Sequence, residues 1–284
     1  MLNNSINIQI LNEIIPSIKD LAGSVIVIKY GGASMINNSL KMKVIEDIMF
    51  LHFIGVKIVL VHGGGPTINT WLKKMNIEPK FSNGVRLTDF KTMEIVEMVL
   101  SGKINKQIVS LINQHKPCAI GLSGKDANLV IASNFSDQKD NYVGYVKHVN
   151  LTLLNLLLSQ GYIPVISSVA SDNSGKTYNI NADSMSASIA SSLRAKKLIL
   201  LTDTPGIMHN INDPLSRLKS VSTLDIFNLK KNNIISGGMI PKVDACVYAL
   251  KCGVQSVHII DGRVKHSLML EMFDSNSTGS TLTL

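Results

Sequence analysis

The sequence predicts an α/β fold with a mainly parallel central sheet, and three observations carry that reading. Short aliphatic runs, Val25–Ile28 and Ile58–Val61 among them, have the composition of strands buried on both faces. Amphipathic segments of helical length separate such runs, which is the alternation of βαβ units. Two runs end in glycine, at Lys29-Tyr30-Gly31-Gly32 and at His62-Gly63-Gly64-Gly65-Pro66. Parallel sheets take their ligands at the carboxyl ends of the strands, where these turns fall.

Residues 6–21 set Ile6, Ile10, Ile14, Ile18 and Leu21 on one helical face, with Pro16 expected to kink or divide the helix. After the first strand, Ser39 is a candidate cap for a helix through Phe53, with Gly55 near its end. The second strand leads into a helix near Thr67–Met75. Ser82-Asn83-Gly84 reads as a hairpin turn, and an amphipathic helix runs from Asp89 to about His115. Further strands are expected at Cys118–Leu122, Leu129–Ala132, Val143–Val146, Ile163–Ser167, Leu198–Thr202 and Val257–Ile260. Helices are expected near 150–160, 182–195, 222–232 and 240–252. The polar loop Ser171–Lys176 is the expected division between two lobes, giving segments 1–24, 25–175 and 176–284.

Composition narrows the function classes. The chain has 284 residues, 45% hydrophobic and 17% charged, which suits a globular protein and excludes general disorder. Net charge is +8, yet the lysines are scattered, aromatics are only 5%, and no basic face carries stacking residues, so no nucleic-acid partner is expected. The basic bias favours small anions. Cys118, Cys246 and Cys252 have neither disulfide-framework nor metal-ligand spacing, which fits a reducing compartment. No apolar run has membrane-spanning length, so no membrane partner is expected. Abundant Asn, Ile and Lys point to an AT-rich genome, bacterial or organellar.

The two glycine turns match neither the dinucleotide fingerprint nor the P-loop. A pair of them on neighbouring strands, one with Lys29 at its mouth, points to a phosphate site. Three more segments join them: Asn179-Ile180-Asn181-Ala182-Asp183 opens a small-residue helix, Leu200–Ile207 is a strand ending in a turn, and Ser236-Gly237-Gly238-Met239-Ile240-Pro241-Lys242 feeds a helix with a lysine in its first turn. With Asn83-Gly84-Val85-Arg86 and Gly121–Asp126, these stretches make the chain resemble the amino acid kinase family, in the family's order from near residue 25 onward. Arg86, Gly121–Asp126 and Asn179–Asp183 point to the branch that phosphorylates N-acetylglutamate, and the apolar-faced segment 6–21 with the C-terminal segment His266–Phe273 resembles that branch's arginine-sensitive type.

The resemblance implies an open αβα sandwich of two lobes and transfer of the ATP γ-phosphoryl group to the side-chain carboxylate of N-acetyl-L-glutamate, a step of arginine biosynthesis. That carboxylate is ionised at pH 7, so no general base is needed, and His62 reads as structural. On this reading Lys29 and Lys242 stabilise the transition state, Asp183 orients both ammonium groups, and Gly31, Gly32, Gly64 and Gly65 hold the phosphoryl group with their N–H groups. Arg86 and Asn179, with Gly64 and Gly65, take the acceptor. Asp203, Gly206, Ile207, Met208, Gly238 and Met239 fall in the family's nucleotide-binding stretches. ATP with Mg²⁺ is the implied cofactor; the sequence names no magnesium ligand. The resemblance further implies L-arginine as an inhibitor bound near His266 and Glu271, a homo-oligomer that is a dimer or a hexamer of dimers joined through the N-terminal helix, and a PII signal protein as a partner. Plastid stroma is the expected location for a plastid-encoded chain without a transit peptide, and bacterial cytoplasm otherwise. Two readings stay open beside this one: another acyl-phosphate-forming kinase of glutamate 5-kinase or carbamate kinase type, and a non-catalytic amino-acid sensor on the same fold.

Overall fold

A computed structural model describes residues 2–82, 85–135, 140–274 and 278–284. The chain opens with helix α1 (Leu2–Leu21), which runs through Pro16 undivided. Strand β1 (Val25–Tyr30) ends at Gly31, and α2 (Asn38–Phe53) follows. Its cap is Asn37, whose side-chain oxygen accepts the N–H groups of Ser39 and Leu40; the expected cap Ser39 already lies inside the helix. β2 (Lys57–His62) leads through the second glycine turn to α3 (Gly65–Lys74), with Pro66 where a missing N–H costs nothing. The short strands β3 (Phe81–Ser82) and β4 (Val85–Arg86) pair antiparallel; the tip of the expected hairpin, Asn83-Gly84, lies outside the described residues.

Asp89 caps α4 (Phe90–Glu97), and the same rod continues as a π-helical segment, Met98–Ile104, into α5 (Asn105–Asn113). Then come β5 (Ala119–Ser123), β6 (Val130–Asn134), β7 (Val143–Val149), α6 (Thr152–Ser159), β8 (Ile163–Ser167), β9 (Val169–Ser171) and β10 (Thr177–Ile180). The polar loop at 171–176 joins β9 to β10, which pair antiparallel. Asn181 caps α7 (Ala182–Ser192). The remaining elements are β11 (Lys197–Thr202), β12 (Ser220–Ser222), α8 (Thr223–Lys231), α9 (Met239–Lys251), β13 (Ser256–Asp261), α10 (Ser267–Phe273) and β14 (Ser280–Thr283).

The central sheet has the order β12-β14-β13-β11-β1-β2-β8-β5. From β13 to β5 every pairing is parallel, and β14 runs antiparallel to β13. Alternate side chains pack into two cores, one on each face. Val27, Val59, Leu200 and Ile259 enter one, and Ile28, Leu60, Ile199 and Ile260 the other. That double burial explains why these strands read as unbroken aliphatic runs. Strands β6, β7, β9 and β10 form a small closed barrel beside the sheet.

Register fixes the site. Lys29 lies opposite Val61 on β2 and Leu200 on β11, so the two glycine turns and the turn after Thr202 emerge side by side. Gly64 has a packing reason as well: a Cβ there would strike Ile104 and come within 2.8 Å of Leu100 on the π segment. Around Gly65 the space is open. Gly64→Ala is therefore expected to destabilise the fold by about 1–3 kcal/mol through overpacking. Gly65→Ala should be neutral or stabilising by up to about 1 kcal/mol, since alanine is the better helix former. Urea denaturation of both variants checks the contrast.

Candidate active site

At the centre of the strand ends, one carboxylate holds two ammonium groups. Asp183 Oδ1 lies 3.0 Å from Lys29 Nζ, and Asp183 Oδ2 lies 2.8 Å from Lys242 Nζ. Each residue is delivered by local structure. Lys29 is the penultimate residue of β1 and is buried by its strand neighbours. Asp183 sits in the first turn of α7, where Asn181 Oδ1 accepts its backbone N–H at 2.9 Å. Lys242 sits in the first turn of α9, after Gly237, whose φ of +52° brings the chain round. Helices α7 and α9 pack against each other, and both put alanines into the common core, Ala187 and Ala190 from α7 and Ala245 and Ala249 from α9.

Burial alone would raise the Asp183 pKa, but the Lys29 and Lys242 charges outweigh it and hold it at about 2. Burial lowers the Lys29 pKa, assisted by the Lys242 charge, while Asp183 opposes the fall. The cluster carries two positive charges against one negative, so it has charge to spare for an anion.

Around this cluster the glycine turns are held in shape. Gly31 is extended, and a Cβ there would meet Lys29 Nζ at 2.7 Å. Gly32 has φ +79° and packs directly against the Asp203 carboxylate, which accepts the Ala33 N–H. Ser34 Oγ donates to the Gly31 carbonyl at 3.1 Å, and the Tyr30 hydroxyl donates to the Ser34 carbonyl at 2.7 Å. His62, expected to be structural, is fully buried. Its Nδ1 meets the Gly63 carbonyl at 3.0 Å, its Nε2 faces the Asn105 amide at 3.1 Å, and burial holds its pKa down at about 4. The imidazole is neutral at pH 7 and acts as a strut.

Arg86 and Asn179 come together on the barrel side through a residue that sequence reasoning missed. The Thr88 hydroxyl donates to the Arg86 carbonyl at 3.0 Å and accepts the Asn179 amide at 3.1 Å. Arg86 is only 7% exposed. Its Nη2 donates to Asn69 Oδ1 at 2.6 Å and to the Gly65 carbonyl at 3.3 Å, and its guanidinium carbon lies 4.7 Å from the Phe81 ring centre. Its Nη1 is buried and makes no hydrogen bond among the described residues. A buried guanidinium with an unused donor is suited to a carboxylate.

On the opposite side lies a cavity of about 700 Å³ lined by Asp203, Gly206, Ile207, Met208 and Met239, five of the residues expected at a nucleotide. Gly238 lies in the turn beside it and outside the lining. Arg263, Asn210, Ile235 and Ser236 also line the cavity. The Arg263 guanidinium pairs with Asp261 at 2.8 Å, and its place at the mouth follows from β13 ending beside β11, which no local motif announces. The Gly206 turn leans on the C-terminal strand, where Ser280 Oγ accepts the Ile207 N–H at 2.9 Å.

The structure gives His266 and Glu271 different surroundings. His266 Nδ1 pairs with Asp47 Oδ1 at 2.6 Å. Glu271 is buried; its carboxylate accepts from His258 Nδ1 at 2.7 Å and from the Gly279 N–H at 3.1 Å. Lys197 Nζ donates to the far nitrogen of the same imidazole at 3.1 Å. The histidine at the Glu271 carboxylate is thus His258.

Residues 24–261 match the amino acid kinase family. The chain is 58% identical to an acetylglutamate kinase of Gracilaria tenuistipitata var. liui, covering 100% of both chains. It is 50% identical to an acetylglutamate kinase of Thermosynechococcus vestitus, covering 99% of this chain and 96% of that one. Among solved structures it is similar to N-acetylglutamate synthase from Neisseria gonorrhoeae complexed with coenzyme A and N-acetyl-glutamate. The TM-score is 0.86 at 22% identity, over 98% of this chain and 63% of the other. The same synthase complexed with coenzyme A and L-arginine gives a TM-score of 0.81 at 23% identity, over 97% and 65%.

Removing the shared anion tests the cluster. Asp183→Asn leaves two neighbouring ammonium groups without a counter-charge and is expected to cost about 3 kcal/mol. The folded pKa of Asp183 is depressed, so this contribution is present above the ordinary carboxylate range near about pH 4 and fades as pH falls toward about 2. Urea denaturation should separate wild type from Asp183→Asn at pH 7 and bring them together in acid.

Proposed function

The chain belongs to the amino acid kinase family, and from that premise we propose how its site transfers the γ-phosphoryl group of ATP to the side-chain carboxylate of N-acetyl-L-glutamate. One observation carries the reading: the Lys29–Asp183–Lys242 cluster lies among the glycine turns, with a carboxylate-ready arginine on one side and the 700 Å³ cavity on the other. A carboxylate oxygen attacks the γ-phosphorus, the bond to the β-phosphate oxygen breaks, and ADP leaves with that oxygen. No proton moves, in keeping with the neutral, buried His62.

The chain contributes position and charge. Asp183 keeps the ammonium groups of Lys29 and Lys242 3.0 and 2.8 Å from its two oxygens, aimed at charge that spreads in the transition state. The N–H groups of Gly31, Gly32, Gly64 and Gly65 hold the moving group. Arg86 and Asn179 hold the acceptor. The cavity at Asp203–Met208 takes the nucleotide, which brings Mg²⁺ with it as part of the substrate. The acceptor is held by the lobe 25–175 together with Asn179 of β10, which pairs with β7 and β9, and the rest of 176–284 holds the nucleotide.

Lys29→Ala and Lys242→Ala are each expected to lower kcat by about 10²-fold or more, with smaller changes in KM. Assays with ATP and N-acetyl-L-glutamate, L-glutamate or carbamate as acceptor check the substrate. Turnover that favours either of the last two overturns the reading, and near-normal kcat in either variant overturns the role of that lysine.

A regulatory reading rests on the chain's two ends. We propose that L-arginine inhibits the enzyme by binding at the buried Glu271 carboxylate, where its guanidinium competes with His258 and the Gly279 N–H for the carboxylate oxygens. The ring of dimers rests on the one-faced spacing of Ile6, Ile10, Ile14 and Ile18 along helix α1. A plastid location draws support from the red algal and cyanobacterial relatives. Deleting residues 1–17 spares buried Leu21 and the Asp20–Lys196 pair. The shortened enzyme is expected to be a dimer that turns over without responding to arginine. Light scattering and inhibition curves check this, and equal size with equal inhibition overturns it.

A further inference from the structure

We propose that Asn69 is a positioning residue for the acceptor: it holds the Arg86 guanidinium in the orientation that presents its unused nitrogen to the substrate's α-carboxylate. The inference rests on the function proposed above and deepens it, by saying what sets the affinity of the acceptor pocket.

A guanidinium has five donors, no acceptor, and a charge it does not give up. Buried, it must find partners or pay for their loss. At Arg86 one nitrogen is fully engaged. Nη2 donates to Asn69 Oδ1 at 2.6 Å, a short bond for this type, and more weakly to the Gly65 carbonyl at 3.3 Å. Phe81 covers one face of the plane, with 4.7 Å between guanidinium carbon and ring centre. Nη1 remains buried and without a hydrogen bond among the described residues. The Asn69 bond and the Phe81 ring fix the guanidinium plane in the orientation that leaves Nη1 without a protein partner among the described residues.

Geometry explains why Asn69 can do so. Asn69 is on the first turns of α3, the helix that begins at the second glycine turn. The same five-residue stretch, Gly65–Asn69, therefore supplies Gly65, whose carbonyl takes the weaker bond, and Asn69, whose side chain takes the stronger. The carboxylate anchor is tied to the phosphate turn through one turn of helix. The distance from the α-carboxylate pocket to the phosphoryl site is thereby fixed by rigid backbone, and the length of acceptor that reaches both is fixed with it.

A residue that works through another has a signature in a double-mutant cycle. The cycle uses the full-length enzyme, with N-acetyl-L-glutamate and ATP, in wild type, Asn69→Ala, Arg86→Ala and the double variant. Arg86→Lys replaces Arg86→Ala if the latter does not fold. Losing a hydrogen bond to a charged group should raise the Asn69→Ala KM for the acceptor about tenfold, with kcat and the KM for ATP within about twofold. In the Arg86→Ala background, removing Asn69 should change the acceptor KM by less than about twofold. An unchanged KM in Asn69→Ala overturns the proposal. So does a loss that persists undiminished in the Arg86→Ala background, or one that falls equally on ATP. If wild type turns over N-acetyl-L-glutamate while the cycle is additive, Asn69 alone is misassigned. If wild type does not turn it over, the proposed function falls and takes this assignment with it.

Discussion

Everything at the strand ends depends on one shared anion. Two ammonium groups a few ångströms apart in a buried setting repel each other, and burial already disfavours the charge on Lys29. Asp183 makes their coexistence stable by giving each its own oxygen. This demands that β1, α7 and α9, which lie far apart along the chain, converge on one point. The strand order β11-β1-β2 and the packing of α7 against α9 satisfy that demand. The sheet acts as a jig for an electrostatic device, and the aliphatic runs exist to make the jig rigid.

The division of labour around the device follows from charge and volume. A small, nearly sealed arginine site with one donor unspent suits a compact anion, whereas the open cavity beyond Asp203 suits a larger molecule. Asp203 links the sides, because it lines the cavity and also takes the Ala33 N–H of the first glycine turn. The glycines have separate reasons to be glycine. Gly32 must adopt a positive φ against a carboxylate, and Gly64 must admit the π segment. A glycine turn is here also a packing joint.

Much of this was legible because it is written locally. Strands buried on both faces leave unbroken aliphatic runs, so β1, β2, β8, β11 and β13 could be read directly. Lys29, Asp183 and Lys242 each stand beside glycine or at a helix start, where charge has a stated use. What escaped is written non-locally. The strands β9, β10 and β14 are short and mixed in polarity, and each also needs a partner distant in sequence: β6 for β9, β7 for β10 and β13 for β14. A π segment keeps the same apolar stripe as an α-helix, so its altered hydrogen bonding leaves no pattern. Asn37 outcompetes Ser39 as cap simply by standing two residues earlier with a longer reach. Thr88, Asn69 and Arg263 matter through side-chain partners that only the folded chain brings near.

The bond from the Ile207 N–H to Ser280 has a consequence in time. A chain is made from its N-terminus, and β1, β2 and α7 can assemble the charged cluster's frame before the last strand exists. The Gly206–Ile207 turn cannot be finished then, because the hydroxyl that accepts its N–H lies on β14, seventy-three residues further on. Contacts of such separation form late, after the loop between them has been closed. A chain synthesised only as far as α9 thus has every residue of the charged cluster but not yet the Ser280 hydroxyl that braces the turn at Gly206–Ile207.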